Sequence, residues 1–468
     1  MTQFEKYVRD LSLSFENCDD FYCRQGKSKG GSFAVIFIKG ITSRDFIAEC
    51  VLRPLLKCDL SQFGGDFNSI LECPSLSCPK DINEAITGVA RGEALVVIEN
   101  QNQGCFQILA NAQFSVGRSI DEPDSDVTVR GPKTGFVENS EKNTSLLRQY
   151  IRTPLFKIRR FTVGEISSTT VLMCYVEGRA ERRLVEQVAK QISKIKASVI
   201  TDSANLAMLL SPKKAPVFPY LGSSEKVDKV ASKLMAGRIA IIVDGSPFVL
   251  TLPFLFIEGL QSADDYLHTP FYATFIRFLR LIAFISAIFA PAVLCTVINY
   301  DFEIMPPYFY GIIYEARKDI PLSFFWEIIA VLILFEVLRE VGVRMPRTVG
   351  DAVGIVGSII LGNTAVEAGI VSSVGVITVA FSAVCAFITP AYMYVIVLAR
   401  IAVLVLSELL GIWGLVISAV LLTTMIITKR SFGFHYLYPI IPFDKKGVMD
   451  SVLAYPKKTL GRREGLKK

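Results

Sequence analysis

An asparagine and a glutamate stand inside the most apolar third of the chain, in Ile360–Ser373 (ILGNTAVEAGIVSS), with long apolar runs on either side. A charge that faces lipid at mid-depth costs at least about 2.5 kcal/mol, so one kept there pairs with another group or meets water. Glu327, Glu336, Arg339, Glu340, Asp351, Glu367, Arg400 and Glu408 all lie in or at the ends of apolar runs. Arg339, Glu340 and Asp351 read as interfacial, while Glu327, Glu367 and Arg400 are harder to place at a surface. Arg400 falls in the middle of MYVIVLARIAVLVLSEL and requires a carboxylate, with Glu336 and Glu408 as candidates, or a watery lumen.

Just upstream, Gly350, Gly354, Ser358 and Gly362 recur every fourth residue. Such a row of small side chains lets helices approach closely in lipid, either within one chain or around a symmetric axis. In the second case Gly354, Ser358, Gly362, Val366 and Val371 line a narrow passage. Asn363, Thr364 and Glu367 then form a polar mouth, and an acidic ring favours cations. Replacing Val366 or Val371 by Ala is expected to make such a passage leak.

The elements that must hold these residues follow from hydropathy. The chain has 468 residues, 51% of them hydrophobic, with mean hydropathy +0.42. That length calls for two or three domains. From Phe271 the runs become long enough to span a bilayer. The expected spans are Leu279–Ile298, Leu322–Val341, Thr348–Val366, Val371–Thr389, Ala391–Leu410 and Ile412–Ile427, the third of them either spanning or re-entrant. Arg277 and Arg280 before the first span, and Arg339, Arg344 and Arg347 after the second, mark the cytoplasmic side. The acidic, Tyr-rich stretch between these spans suits the outer face. From Lys429 on there are ten basic residues against three acids, which fits the cytoplasmic side and anionic lipid headgroups better than nucleic acid.

Before residue 269 the chain reads as a cytoplasmic α/β region of two subdomains, 1–116 and 117–268. It is followed by a polytopic α-helical membrane domain, 269–430, and a basic tail, 431–468. FAVIFIK (33–39) is strand-like, Ser43 and Asp81 cap helices, and 94–99 pairs with 105–110 around NQNQG. In the second subdomain TTVLMCYVEG (169–178) is a strand. Leu184, Val188, Ile192 and Ile195 form a helix face, and Asp244-Gly245-Ser246 joins two strands as a hairpin turn.

Other motifs carry less. CRQGKSKGG (23–31) has Phe21 where a phosphate-binding loop needs its first Gly, and reads as a flexible basic loop. Cys18/Cys23 and Cys73/Cys78 are each C-x4-C. Zinc is one reading of them, but the chain has only two histidines, His268 and His435, and reduced thiols are the default for a region without a signal peptide. No nucleophile–base constellation assembles, so neither an enzyme nor a cofactor is expected.

Several blocks resemble the A subunit of the spore germinant receptors, the GerA family. They are RSIDEPDSDVTVRGPKTGFVENSEKNTSLLRQYIRTP (118–154), GRIAIIVDGSPFVLTLP (237–253), LQSADDY (260–266), FEVLREVGVRMPRTVGDAVGIVGSIILGNTAVEAGIVS (335–372) and RSFGFHYLYPIIPF (430–443). Ala236 stands where the family usually has Glu, and Ser224–Asp228 departs from its TERPD. The resemblance implies a multi-pass protein of the spore inner membrane with its N-terminal region on the core side. It implies a transporter-like B subunit that binds the germinant, a C subunit that is a lipoprotein, and a ring of A subunits, expected as a pentamer, that passes monovalent cations when nutrient binds. A non-conducting scaffold that relays binding to a separate channel is the alternative; no internal repeat supports a transporter. Arg130, Phe136, Glu138 and Asn143 match family positions and are candidates for subunit contact.

Overall fold

The computed structural model describes residues 2–60, 63–100, 104–113, 132–212, 217–266, 268–300, 302–344 and 360–444. Over these residues the chain forms two units. One runs to Phe254; the other runs from Leu255 and takes in Val217–Pro219.

The first unit holds two sheets. In the first subdomain α1 (Gln3–Ser14) starts at a capping box, Thr2 accepting from the Glu5 amide and Glu5 from the Thr2 amide. Then come β1 (Phe21–Ser28), β2 (Gly31–Ile38), and α2, made of Arg44–Phe46, a π-helical turn Ile47–Leu52 and Arg53–Lys57. β3 (Leu76–Ser77), α3 (Ile82–Arg91), β4 (Ala94–Asn100) and β5 (Gly104–Ala110) complete it, in strand order β1-β2-β4-β5-β3. β2 is apolar at every second position on both faces because both faces are covered. Phe33, Val35 and Phe37 pack with Ile47, Val51 and Leu55 of α2. Ala34, Ile36 and Ile38 pack with Val8 and Leu11 of α1 and Val89 of α3.

The expected basic loop 23–31 is instead most of β1, in full register with β2. Gly26 is needed there because a Cβ would collide with the Phe33 ring. The pattern missed it because β1 is half-exposed and carries its charges on one edge.

The second subdomain contains α4 (Ser140–Tyr150), β6 (Phe156–Val163), β7 (Thr169–Val176), α5 (Arg182–Ser193), α6 (Ser203–Leu210), β8 (Gly222–Ser224), α7 (Val227–Met235), β9 (Ile239–Val243) and β10 (Val249–Leu252). The strand order is β6-β7-β9-β10-β8. Leu146, Leu147, Val227, Val230 and Leu234 cover one face with Phe136. α5 ends before Ile195, since the amides of Lys194 and Ile195 tighten onto Gln191 and Ile192. The chain is α and β as expected, but every pairing between its named strands is antiparallel. Each sheet is built on hairpins rather than right-handed crossovers.

Arg148 of α4 joins the two subdomains. It is 1% exposed, donates to both carboxylate oxygens of Asp20 at 2.8 and 2.9 Å, and lies over the Phe156 ring. Lys157 Nζ donates to Ser14 O, and the Asp19 amide to Ile158 O, in the same seam.

The second unit is helical: α8 (Pro270–Asn299), α9 (Pro307–Arg317), α10 (Phe324–Arg344), α11 (Ser373–Phe387), α12 (Met393–Leu410) and α13 (Ile412–Thr428). Before α11 come a π-helical turn, Ile360–Thr364, and a single helical turn, Ala365–Glu367. A short hairpin, β11 (Arg430–Ser431) with β12 (Phe434–His435), follows α13. Among the described residues two helical stretches are long and apolar enough to cross a membrane, Pro270–Asn299 at mean hydropathy 2.6 and Pro390–Leu410 at 2.2. Ser373–Phe387 and Ile412–Thr428 are apolar but shorter. α10 is long but carries Glu327, Glu336, Arg339 and Glu340. Residues 348–359 of the expected third span lie outside the described residues. The stretch expected as an outer loop contains the helix α9, whose tyrosines are exposed.

Candidate functional site

Arg400 lies at the centre of the helical unit, 2% exposed. Its Nη2 is 2.9 Å from Glu336 Oε1 of α10, and its Nη1 donates to Ser382 Oγ of α11 at 2.9 Å. Ser382 in turn donates to Ala287 O of α8 at 2.8 Å. One guanidinium thus links four apolar helices. Glu336 is shared, its other oxygen lying 2.6 Å from Arg339 Nη2 one turn along the same helix. A cation pair around one carboxylate keeps a buried arginine from being left without a counter-charge. Glu408, the other candidate, instead accepts from Asn299 Nδ2 at 3.0 Å and Cys295 Sγ at 3.5 Å, tying the far end of α12 to the end of α8.

Glu327 is fully buried in the first turn of α10. Its Oε1 accepts from the Ser372 amide at 2.8 Å and from Ser372 Oγ, and the Arg317 guanidinium of α9 stands 3.5 Å from its Oε2. Ser372 is the N-cap of α11, accepting from the Gly375 amide at 3.0 Å. A carboxylate at a helix N-terminus also meets the positive end of the helix dipole.

The stretch Gly362–Val371 is helical to Glu367 and then turns toward α11, which starts at Ser373. Gly369, at φ +67°, ends the turn, its amide bonding to Val366 O. Val371 is buried, Val366 is half-buried, and Asn363, Thr364 and Glu367 are exposed. A Cβ built on Gly362 meets nothing within 4 Å. Gly354 and Ser358 lie outside the described residues.

Of the four residues considered for subunit contact, Phe136 is in the core of its own subdomain. Asn143 is fully buried and closes both hydrogen bonds with the backbone of Val137, at 2.8 and 2.5 Å. Both are packed or bonded within their own subdomain. Glu138 is exposed and Arg130 lies outside the described residues. Asp244 is more than a turn residue: its Oδ1 accepts from the Ser140 amide and hydroxyl at 3.0 and 2.6 Å, at the start of α4.

Three features were not found from sequence. Arg277 and Arg280 converge on buried Asp265 at 3.2 and 2.8 Å, so the two arginines before the first span share one carboxylate within the chain. Ser372 and Ser382 gave no signal beyond their types, although a Ser three residues before a Gly at the head of an apolar run is a capping pattern. Lys429 ends α13 in a cage. It donates to the carbonyls of Phe218 and Pro219 and lies over the rings of Phe218 and Tyr436 at 5.6 and 4.7 Å. Burial pushes its amine down to about 8 from the usual 10.5.

Comparison with known proteins covers nearly the whole chain. The family described as Bacillus/Clostridium GerA spore germination protein matches residues 9–466. Spore germination protein KA of Bacillus subtilis is 33% identical over 429 residues, 90% of this chain and 78% of that protein. An uncharacterized membrane protein of the same organism, YfkQ, is 31% identical over 98% of this chain and 90% of its own. Spore germination protein GerQA of Bacillus cereus is 29% identical over 98% and 92%. Among solved structures, the N-terminal domain of the A subunit of the Bacillus megaterium spore germinant receptor GerK3 covers 53% of this chain and 94% of its own, at 22% identity and a TM-score of 0.39. With a match that runs from the first helix into the basic tail, this chain belongs to the GerA family of spore germination proteins.

Proposed function

We propose that the chain is the A subunit of a nutrient germinant receptor in the spore inner membrane, and that copies of it assemble into a ring, expected as a pentamer, which passes monovalent cations when germinant binds to a partner. The observation that carries this is the polar face at Asn363, Thr364 and Glu367, exposed in the helical unit beside Gly362, where a Cβ would meet no described residue within 4 Å. In lipid such a face requires water or another copy of itself. A close-packed ring supplies both, with Gly354, Ser358, Gly362, Val366 and Val371 along the narrow part and Glu367 at the mouth. Glu336, Arg400, Glu408 and Glu327 are each paired within the unit, whereas Glu367 is exposed and is the carboxylate proposed to meet ions. The partners proposed are the transporter-like B subunit and the C lipoprotein.

The test is single-channel recording from the purified chain in planar bilayers, beside Glu367→Gln. Cation-selective current whose selectivity falls in the variant supports the reading. Silence from folded, oligomeric protein that persists after adding the B and C subunits leaves the non-conducting scaffold instead.

A further inference from the structure

We propose that Glu327 is a positioning residue, a carboxylate latch that holds the start of α11 and, through it, the segment carrying the polar face. The inference rests on the channel reading for its consequence, but its geometry is measurable without any current.

The latch is assembled from three helices. α9 ends at Arg317, whose guanidinium lies 4.7 Å over the Phe324 ring and 3.5 Å from Glu327 Oε2. α10 begins at Phe324 and supplies the carboxylate within its first turn. Ser372 receives that carboxylate through both its amide and its hydroxyl, and the same hydroxyl accepts from the Gly375 amide. The protons run in one direction, Gly375 N–H to Ser372 Oγ and Ser372 O–H to Glu327 Oε1, so the Ser372 hydroxyl both caps the first turn of α11 and is itself held by the carboxylate. Gly375 is required by the approach, since a Cβ there would collide with Glu327 Oε1.

Four residues separate Ser372 of the latch from Glu367. Val371, next to Ser372, is buried at 5%, and the amides of Gly369 and Ile370 bond back to Val366 and Ala365 at 3.0 and 3.1 Å. Ala365–Ser372 is therefore one short, internally bonded lever whose fixed end is Ser372 and whose free end is the exposed carboxylate. This distinguishes Glu327 from Glu336. The Glu336–Arg400 pair bridges helices at mid-length and holds the unit together, whereas Glu327 holds one helix start and the segment before it.

The experiment uses the full chain in nanodiscs, with Glu327→Gln, Gly375→Ala and the milder Ser372→Ala. Amide hydrogen exchange over Gly369–Val376 is read first. Losing the charged hydrogen bonds is expected to speed it by about tenfold or more, with the soluble region unchanged. In bilayers the same variants are expected to raise open probability and leave unitary conductance and ion selectivity as in the wild type. Exchange that stays at the wild-type rate in all three variants overturns the latch. A changed unitary conductance in Glu327→Gln also overturns it, because the carboxylate then lines the ion path. Faster exchange in a chain that conducts nothing, wild type included and with the B and C subunits added, upholds the latch and rejects the channel. Ser372→Ala removes a single hydroxyl and keeps the amide bond, so it reports even where the other two fail to fold.

Discussion

At the scale of single residues, buried charge decides most of what this chain holds together. Arg148 with Asp20 is a paired ion in the seam between two subdomains, and truncating one partner leaves the other charge buried. Arg148→Met is expected to lower unfolding stability by about 3–5 kcal/mol, with most of it recovered in the double variant with Asp20→Leu, as read from denaturant midpoints. Lys429 gives a pH prediction with a definite sign. Its amine titrates at about 8 in the folded chain against 10.5 ordinarily, because burial penalises the cation more than its two carbonyls and two rings favour it. Between those values the unfolded chain binds the proton that the folded chain has released. Stability from this group therefore rises as pH climbs through 8 and is flat below. Thermal midpoints measured from pH 7 to 9.5 should show wild type gaining on Lys429→Met above pH 8; parallel curves would refute the assignment.

At the scale of elements, glycines set how closely helices and strands approach. α12 and α13 turn back on each other at Gly411, whose φ of +58° and ψ of −137° suit a residue without a Cβ. They then pack so tightly that a Cβ on Gly414 would collide with the Leu406 carbonyl. Gly414→Ala is expected to cost about 1–3 kcal/mol and to lower the temperature at which detergent-solubilised protein aggregates, since the obstacle is backbone and cannot rotate away. The same substitution at Gly362 is expected to leave an isolated chain unaffected, because none of the described residues packs there; a change seen only in the assembled form would mark that face as a contact between copies.

At the scale of the whole molecule, the prediction concerns topology. Six spans place the N-terminal region and the basic tail on one side of the membrane. A re-entrant segment at 348–366 would place them on opposite sides. Trypsin added outside sealed vesicles of single orientation should cut Arg182–Lys196 and Lys445–Lys468 together and spare Arg317–Lys318, or the reverse in inverted vesicles. Cleavage of the tail with Arg317–Lys318 would overturn the six-span count.

Patterns that repeat over a few residues were legible in the chain itself. The alternation in Phe33–Ile38, the caps at Ser43 and Asp81, the turn at Asp244–Ser246 and the onset of long apolar runs at Phe271 are local, because backbone geometry and the hydrophobic effect act on neighbours along the chain. Membership of the family rested on such short blocks as well. Tertiary structure alone decided which distant groups meet. Arg400 could have turned to Glu408, eight positions away and two turns along its own helix, but it bonds Glu336, 64 positions back, because α10 and α12 pack side by side and Glu408 is taken by Asn299. Glu327 finds Ser372 across 45 positions, and Arg148 finds Asp20 across 128. The hairpins β4–β5 and β9–β10 were legible, but the antiparallel pairing of β2 with β4 and of β7 with β9 was out of reach, since alternating helix and strand patterns are the same whichever way the chain returns. A side chain's type declares what it needs; only the closed fold determines which partner stands within hydrogen-bond distance.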